Sequence, residues 1–129
     1  MWRPALGAML TPALLLTASS VVARQQDPIV PDTAAITTAA VDLGRAIFHG
    51  KGTCFMCHGA KLEGTQVAPT LKQHKWRDAK DGRLDEIFRV ATHGVPSTVM
   101  VAFPGNISRA EVLNVASYIW SVNNRGAKP

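Results

Sequence analysis

Cys54, Cys57 and His58 form the run Cys54-Phe55-Met56-Cys57-His58, two thiols three positions apart with an imidazole directly after the second. Thiols at that spacing can close a disulfide, ligate a metal or run thiol–disulfide exchange. They can also add to the two vinyl groups of a haem whose iron the adjacent imidazole then reaches. Each chemistry makes its own demand on the rest of the chain. A disulfide here would close a tiny loop and constrain the remaining chain little. A structural zinc site needs four ligands, and the remaining histidines, His49, His74 and His93, stand at spacings that match no zinc pattern. Thiol exchange sets its Cys pair at the start of a helix after a buried strand, within a strand and helix alternation that this chain lacks. Haem attachment asks only for these three residues in this order. The motif therefore predicts one covalent haem c, held by Cys54 and Cys57, with His58 as an axial ligand of its iron.

An iron bound on one side by His58 has a second axial position, and its occupant decides the chemistry. A thioether raises the potential and closes the site to small ligands, whereas an open position favours ligand binding. Of the four methionines, Met1 and Met9 lie in the opening apolar segment, and Met56 is tied inside the attachment loop on the His58 side. Met100 remains. It sits in Val99-Met100-Val101-Ala102-Phe103, a stretch too apolar for a purely solvated connection. Met100 is the expected sixth ligand, beside two alternatives: a methionine that fills a gap in the core, and ligation by His93, seven residues earlier. His49 and His74 read as surface histidines.

The elements that must position these groups follow from periodicity. Thr38 to His49 has a helical pattern through Val41, Arg45 and Phe48, stopped by Gly50, with Gly44 at a cost of about 1 kcal/mol relative to Ala unless another element approaches it closely. Residues 50–71 carry Gly50, Gly52, Gly59, Gly64 and Pro69, the punctuation of a loop or short helical turns. Asp81 to His93 reads as a second amphipathic helix through Leu84, Ile87, Phe88 and Ala91, ended by Gly94 and Pro96. Ser108-Arg109-Ala110-Glu111 is a capping box opening a last helix through Val112, Val115, Ala116, Ile119 and Val122. Asn106-Ile107-Ser108 matches a glycosylation acceptor, but Ser108 is better read as the cap. With no alternating strand pattern, the class is all-α.

At 129 residues the chain has the size of one domain. Arg3, the Ala-, Leu- and Val-rich run to Val22 and the small-residue site Val21-Val22-Ala23 read as a secretory signal, residues 1–23, cleaved after Ala23. Pro4, Pro12 and Ser19-Ser20 keep its apolar run shorter than the ~20 residues of a spanning helix, although an uncleaved anchor is the rival reading. Residues 24–37, polar and proline-bearing, read as a flexible leader, 38–125 as the haem domain and 126–129 as a tail. Export implies a periplasmic protein whose mature form does not span the membrane. The formal charge is +5, or +4 without Arg3. Lys72, Lys75, Arg77, Lys80, Arg83 and Arg89 alternate with Asp78, Asp81, Asp85 and Glu86, the mark of a solvated face that suggests at most an acidic protein partner. No dense basic stripe interleaved with aromatics points to nucleic acid.

Gly44-x-x-x-Phe48 in a first helix, Cys54-x-x-Cys57-His58-Gly59, Pro69 in Ala-Pro-Thr-Leu, Met100 in a late loop and Tyr118 in a final helix together resemble class I cytochromes c, over nearly all of residues 38–125. The Trp76-Arg77 segment, the Ile87-Phe88 helix and the run from Gly94 to Phe103 are similar to the small monohaem bacterial members. The resemblance implies three main helices and loops wrapped around one haem, with Gly44 and Phe48 crossing the last helix at Val115 and Tyr118. It implies that the Pro69 carbonyl accepts a hydrogen bond from His58 and that Trp76 lies near a haem propionate. One residue departs from the pattern: many relatives have proline after the ligand methionine, and here Val101 follows Met100. The implied function is single-electron transfer with His58 and Met100 as axial ligands, either as a periplasmic shuttle or as the cytochrome subunit of a dehydrogenase or oxidase, and not as an enzyme by itself. The competing function is a haem-based ligand sensor or peroxidase-like enzyme with an open sixth position.

Overall fold

The computed structural model describes residues 29–72 and 76–129, so the expected signal segment, the first part of the leader and His74 lie outside the described residues. Among the described residues the fold is all-helical, without a strand. The helices are α1 (Thr38–His49), α2 (Cys54–His58), α3 (Leu84–His93) and α4 (Arg109–Asn124), with single 3-10 turns at Thr33–Ala35, Lys80–Gly82 and Pro104–Asn106.

Helices α1 and α4 pack against each other, and α3 packs on α4. Their apolar stripes meet in one core: Val41 and Phe48 from α1, Leu84, Ile87 and Phe88 from α3, and Val112, Val115, Ala116, Tyr118 and Ile119 from α4. Phe48 and Tyr118 are fully buried and meet edge to face, with ring centroids 5.6 Å apart. Each buried aromatic contributes roughly 1.5–3 kcal/mol through the surface it removes from water. The crossing is tight at Gly44, where a Cβ would stand 1.9 Å from the Asn114 carbonyl oxygen and 2.8 Å from the Tyr118 Cβ. The glycine that weakens α1 as an isolated helix is what lets two backbones touch.

Both long helices are capped by their own sequence. Thr37 Oγ1 accepts the Ala40 N–H at 3.1 Å. The Ser108 hydroxyl accepts from Glu111 N at 3.2 Å while the Glu111 carboxylate accepts from Ser108 N at 2.7 Å, a complete capping box. Lys51, in the loop before α2, donates to the same carboxylate at 2.9 Å, joining the attachment segment to the start of α4.

Two expectations are corrected. The second amphipathic helix begins at Leu84 rather than Asp81, because Asp81 and Gly82 have φ of 55° and 62° and form a turn, with Arg83 as an extended cap residue. The segment before Thr38 is also not free of packing. Asp32 caps the Thr33–Ala35 turn, Ile36 is buried, and Arg125 donates to the carbonyls of Ile36 (3.2 Å) and Thr33 (2.9 Å). At the other end Arg45 donates to the Lys128 carbonyl at 3.1 Å and Ala127 rests on the core.

Gly44→Ala is predicted to destabilise the haem-loaded protein by about 3 kcal/mol in denaturant unfolding, since backbone at the crossing cannot yield as a side chain would. The helix propensity gained, about 1 kcal/mol, does not offset that strain. A second prediction concerns acid. The hydrogen bond from Ser108 N, followed by Lys51, holds the Glu111 carboxyl below its ordinary value of 4.5. A depressed acid stabilises the fold above its unfolded value and loses that contribution as pH falls through the folded one. Glu111→Gln should therefore show a shallower loss of stability than the parent between about pH 5 and 3, read from unfolding midpoints.

Candidate functional site

The residues of the attachment motif are fixed by the loop that follows them. Thr53, with φ 55°, turns the chain into the single helical turn of α2, and Gly52 N–H bonds back to the Ile47 carbonyl at 2.8 Å. After α2 the chain doubles back over His58. Gly64 N donates to the His58 carbonyl at 2.7 Å, Thr65 Oγ1 to the Cys57 carbonyl at 2.7 Å, and Leu71 N to the carbonyl of the fully buried Leu62 at 2.8 Å. The return brings the Pro69 carbonyl to 2.9 Å from His58 Nδ1. A carbonyl has no proton to give, so Nδ1 is the donor, and Nε2 is the ring nitrogen with a free lone pair. Burial holds the His58 imidazole below its ordinary range, the Pro69 carbonyl pulls it upward, and the Arg77 cation presses it down.

Cys54, Cys57, His58, Pro69, Trp76 and Met100, the six residues singled out from sequence, all line one cleft. Its walls are apolar: Phe48 from α1, Ile87 and Ala91 from α3, Val115 and Ile119 from α4. Each helix thus spends part of its stripe on the core and part on the cleft. Cys54 and Cys57 form no disulfide with each other. Burial pushes the Cys54 thiol up to about 11, its backbone hydrogen bond opposes the rise, and Cys57 adds to it. An uncharged thiol against an apolar wall is the form that such surroundings favour.

The other described histidines, His49 and His93, are placed elsewhere. His49 is not a surface residue. It is half-buried, with Nδ1 2.9 Å from the Arg45 carbonyl and Nε2 2.8 Å from the Ala60 carbonyl, its ring stacked on Phe55 at 6.2 Å. His93, the rival ligand, is exposed; its Nδ1 donates to the Arg89 carbonyl at 2.9 Å, and it does not line the cleft. Among the described histidines only His58 faces it.

Sequence reasoning missed several lining residues. Arg77 and Asp78 lie at the cleft, paired at 2.8 Å, and Thr98 flanks Met100 there, while Val99 and Val101, expected to press on something apolar, line the cleft yet stay largely exposed. Ile87 with Ala91 and Val115 with Ile119 carried a usable signal, an apolar pair one helical turn apart on each helix. No sequence signal distinguishes a wall facing a cleft from one facing core.

The cleft fits a flat, apolar, metal-centred cofactor. It offers two thiols for covalent attachment, one imidazole with a fixed tautomer and one thioether, enclosed by aliphatic and aromatic side chains. Among the described residues no group of three or more His, Cys, Asp or Glu could hold a bare metal ion.

Comparison with known proteins agrees with that fit. The family described as "Cytochrome C oxidase, cbb3-type, subunit III" matches residues 39–119. The chain is 28% identical over 121 residues to the cbb3-type cytochrome c oxidase subunit CcoP of Azospirillum sp. (strain B510), covering 84% of this chain and 39% of that protein. It is 35% identical over 83 residues to the subunit FixP of Azorhizobium caulinodans, covering 59% and 27%. The chain thus spans well under half the length of these curated relatives. Among solved structures it resembles cytochrome cL of Methylophaga aminisulfidivorans MPT, at TM-score 0.56 and 25% identity, over 65% of this chain and 55% of that one. Cytochrome cL of Hyphomicrobium denitrificans shares the fold at TM-score 0.56 and 21% identity, over 65% and 48%. From its attachment motif, its all-helical fold and the match over residues 39–119, the chain belongs to the cbb3-type cytochrome c oxidase subunit III family and carries a c-type cytochrome domain with covalently bound haem c.

Proposed function

We propose that this chain carries single electrons, with Cys54 and Cys57 in thioether links to the haem and His58 and Met100 as the axial ligands. The observation that supports it most is the convergence of all four residues on one apolar cleft, with the His58 tautomer already set by Pro69. Bound haem supplies a one-electron couple at its iron. The protein's own residues do the rest. Pro69 keeps the His58 ring from turning and leaves Nε2 free to ligate. The apolar helix walls would keep water from a bound haem, and His58 and Met100 would hold its iron from the two sides, so that little need move on electron transfer. Trp76 and Arg77, side by side on the cleft, would meet the haem carboxylates.

The electron leaves through a partner. Val67, Val99 and Val101 all line the cleft yet remain 65%, 69% and 59% exposed, an uncharged apolar border against which another redox protein can pack. The named relatives are subunits of cbb3-type oxidases. We read this chain as the electron-donating cytochrome of such an oxidase, exported by the segment 1–23 and working on the periplasmic side. No helix among the described residues is long and apolar enough to cross a membrane.

The test is the visible spectrum of the oxidised, haem-loaded protein. Thioether ligation of ferric haem gives a weak charge-transfer band at the red end of the visible range, expected in the parent and lost entirely in Met100→Ala. The same variant should bind carbon monoxide when reduced, whereas the parent refuses it. A parent that lacks the band, or takes up the gas freely, would replace electron transfer with ligand sensing or peroxidase-like chemistry.

A further inference from the structure

Met100 lies in a loop that α3 holds at both ends. On the near side, Gly94 has φ 70°, and a Cβ there would stand 2.6 Å from the Met100 carbonyl oxygen, so the main chain of the loop rests on the end of the helix. On the far side, Phe103 N donates to the Ala91 carbonyl at 2.9 Å. Between these anchors, Val95 N donates to the Met100 carbonyl at 2.9 Å and closes a six-residue ring of chain. Inside the ring, Ser97 has φ 62°, a conformation that side chains disfavour. Val99 and Val101 point largely to solvent, so apolar burial does little to fasten the ring.

One side chain spans it. Thr98 Oγ1 donates to the Val95 carbonyl at 2.8 Å and accepts the Met100 N–H at 3.1 Å, linking the first residue of the ring to the last. Among the described residues these are the only side-chain hydrogen bonds within 95–101. We propose that Thr98 is the positioning residue of the Met100 thioether: its hydroxyl closes the 95–100 loop from within and sets how often Met100 leaves its place in the cleft. This rests on the reading of Met100 as the sixth ligand. Thr98 need not touch the iron; it acts through the Met100 backbone, to which it bonds directly.

An outside ligand can take the sixth position only while Met100 is away, so its apparent affinity scales with the open fraction. Removing both bonds of one hydroxyl raises that fraction about tenfold, given the usual net worth of a hydrogen bond. The experiment titrates the ferric, haem-loaded protein with imidazole at fixed pH, following loss of the thioether band, in the parent, Thr98→Val and Thr98→Ser. Thr98 is exposed, so both variants should fold. Thr98→Val is expected to bind imidazole about tenfold more tightly and Thr98→Ser to stay near the parent. Amide hydrogen exchange at Val95 and Met100, which does not depend on the spectrum, should quicken in the valine variant alone. Equal imidazole affinity in the parent and the valine variant, or a serine variant that behaves like valine, overturns the role of Thr98 while the band in the parent keeps Met100 as ligand. Absence of the band in the parent overturns both.

Discussion

The contact between the backbones of α1 and α4 at Gly44 sets the distance on which everything else is built. With a Cβ there, the helices would have to separate. Phe48, Val115 and Ile119 would then withdraw from one another, and all three line the cleft as well as the core. One wall thus serves two purposes, and the packing that stabilises the fold also fixes the width of the cofactor's seat. Close packing makes such an arrangement stiff, because a shift of one side chain is felt by all its neighbours.

The other side of the site is held by hydrogen bonds instead of packing. The loop after α2 has few large apolar residues, and it is placed by Gly64, Thr65 and Leu71 bonding back to His58, Cys57 and Leu62. Its product is the Pro69 carbonyl at His58 Nδ1, a group that chooses one tautomer of the imidazole before any metal is present. The site therefore joins a rigid apolar wall to a polar loop whose job is orientation. The raised Cys54 thiol and the depressed His58 imidazole reflect the same low-polarity surroundings.

Much of this was legible in the sequence where a local rule acts alone. The span of α1, the Ser108–Glu111 box and the end of α3 at Gly94 follow from caps and stops a few residues apart. The cysteine and histidine motif was equally plain, because its chemistry depends on adjacency. What the sequence concealed are matters of long-range geometry. Asp81 has the composition of a helix start, but the turn at Asp81–Gly82 under Trp76 sets the boundary at Leu84. His49 looks like a surface residue until the return loop brings the Ala60 carbonyl to its second nitrogen. Thr98 carries no motif, and its place beside Met100 appears only once the loop is folded.

The clasp of Arg125 on the Thr33 and Ile36 carbonyls fastens the chain to the folded body ahead of α1, and would set the reach of the haem domain if the N-terminal side were held by a partner. A tether is measured from the last point at which it is fastened to the folded body, and here that point lies near Asp32, not Thr37. Five residues of extended chain span about 17 Å, so the clasp would shorten such a leash by roughly that length. A shorter leash confines the haem cleft to a smaller volume and raises its effective concentration at a fixed neighbour, provided the leash still spans the gap. One arginine at the end of α4, remote from the iron chemistry, would thereby limit how far a tethered electron carrier could swing.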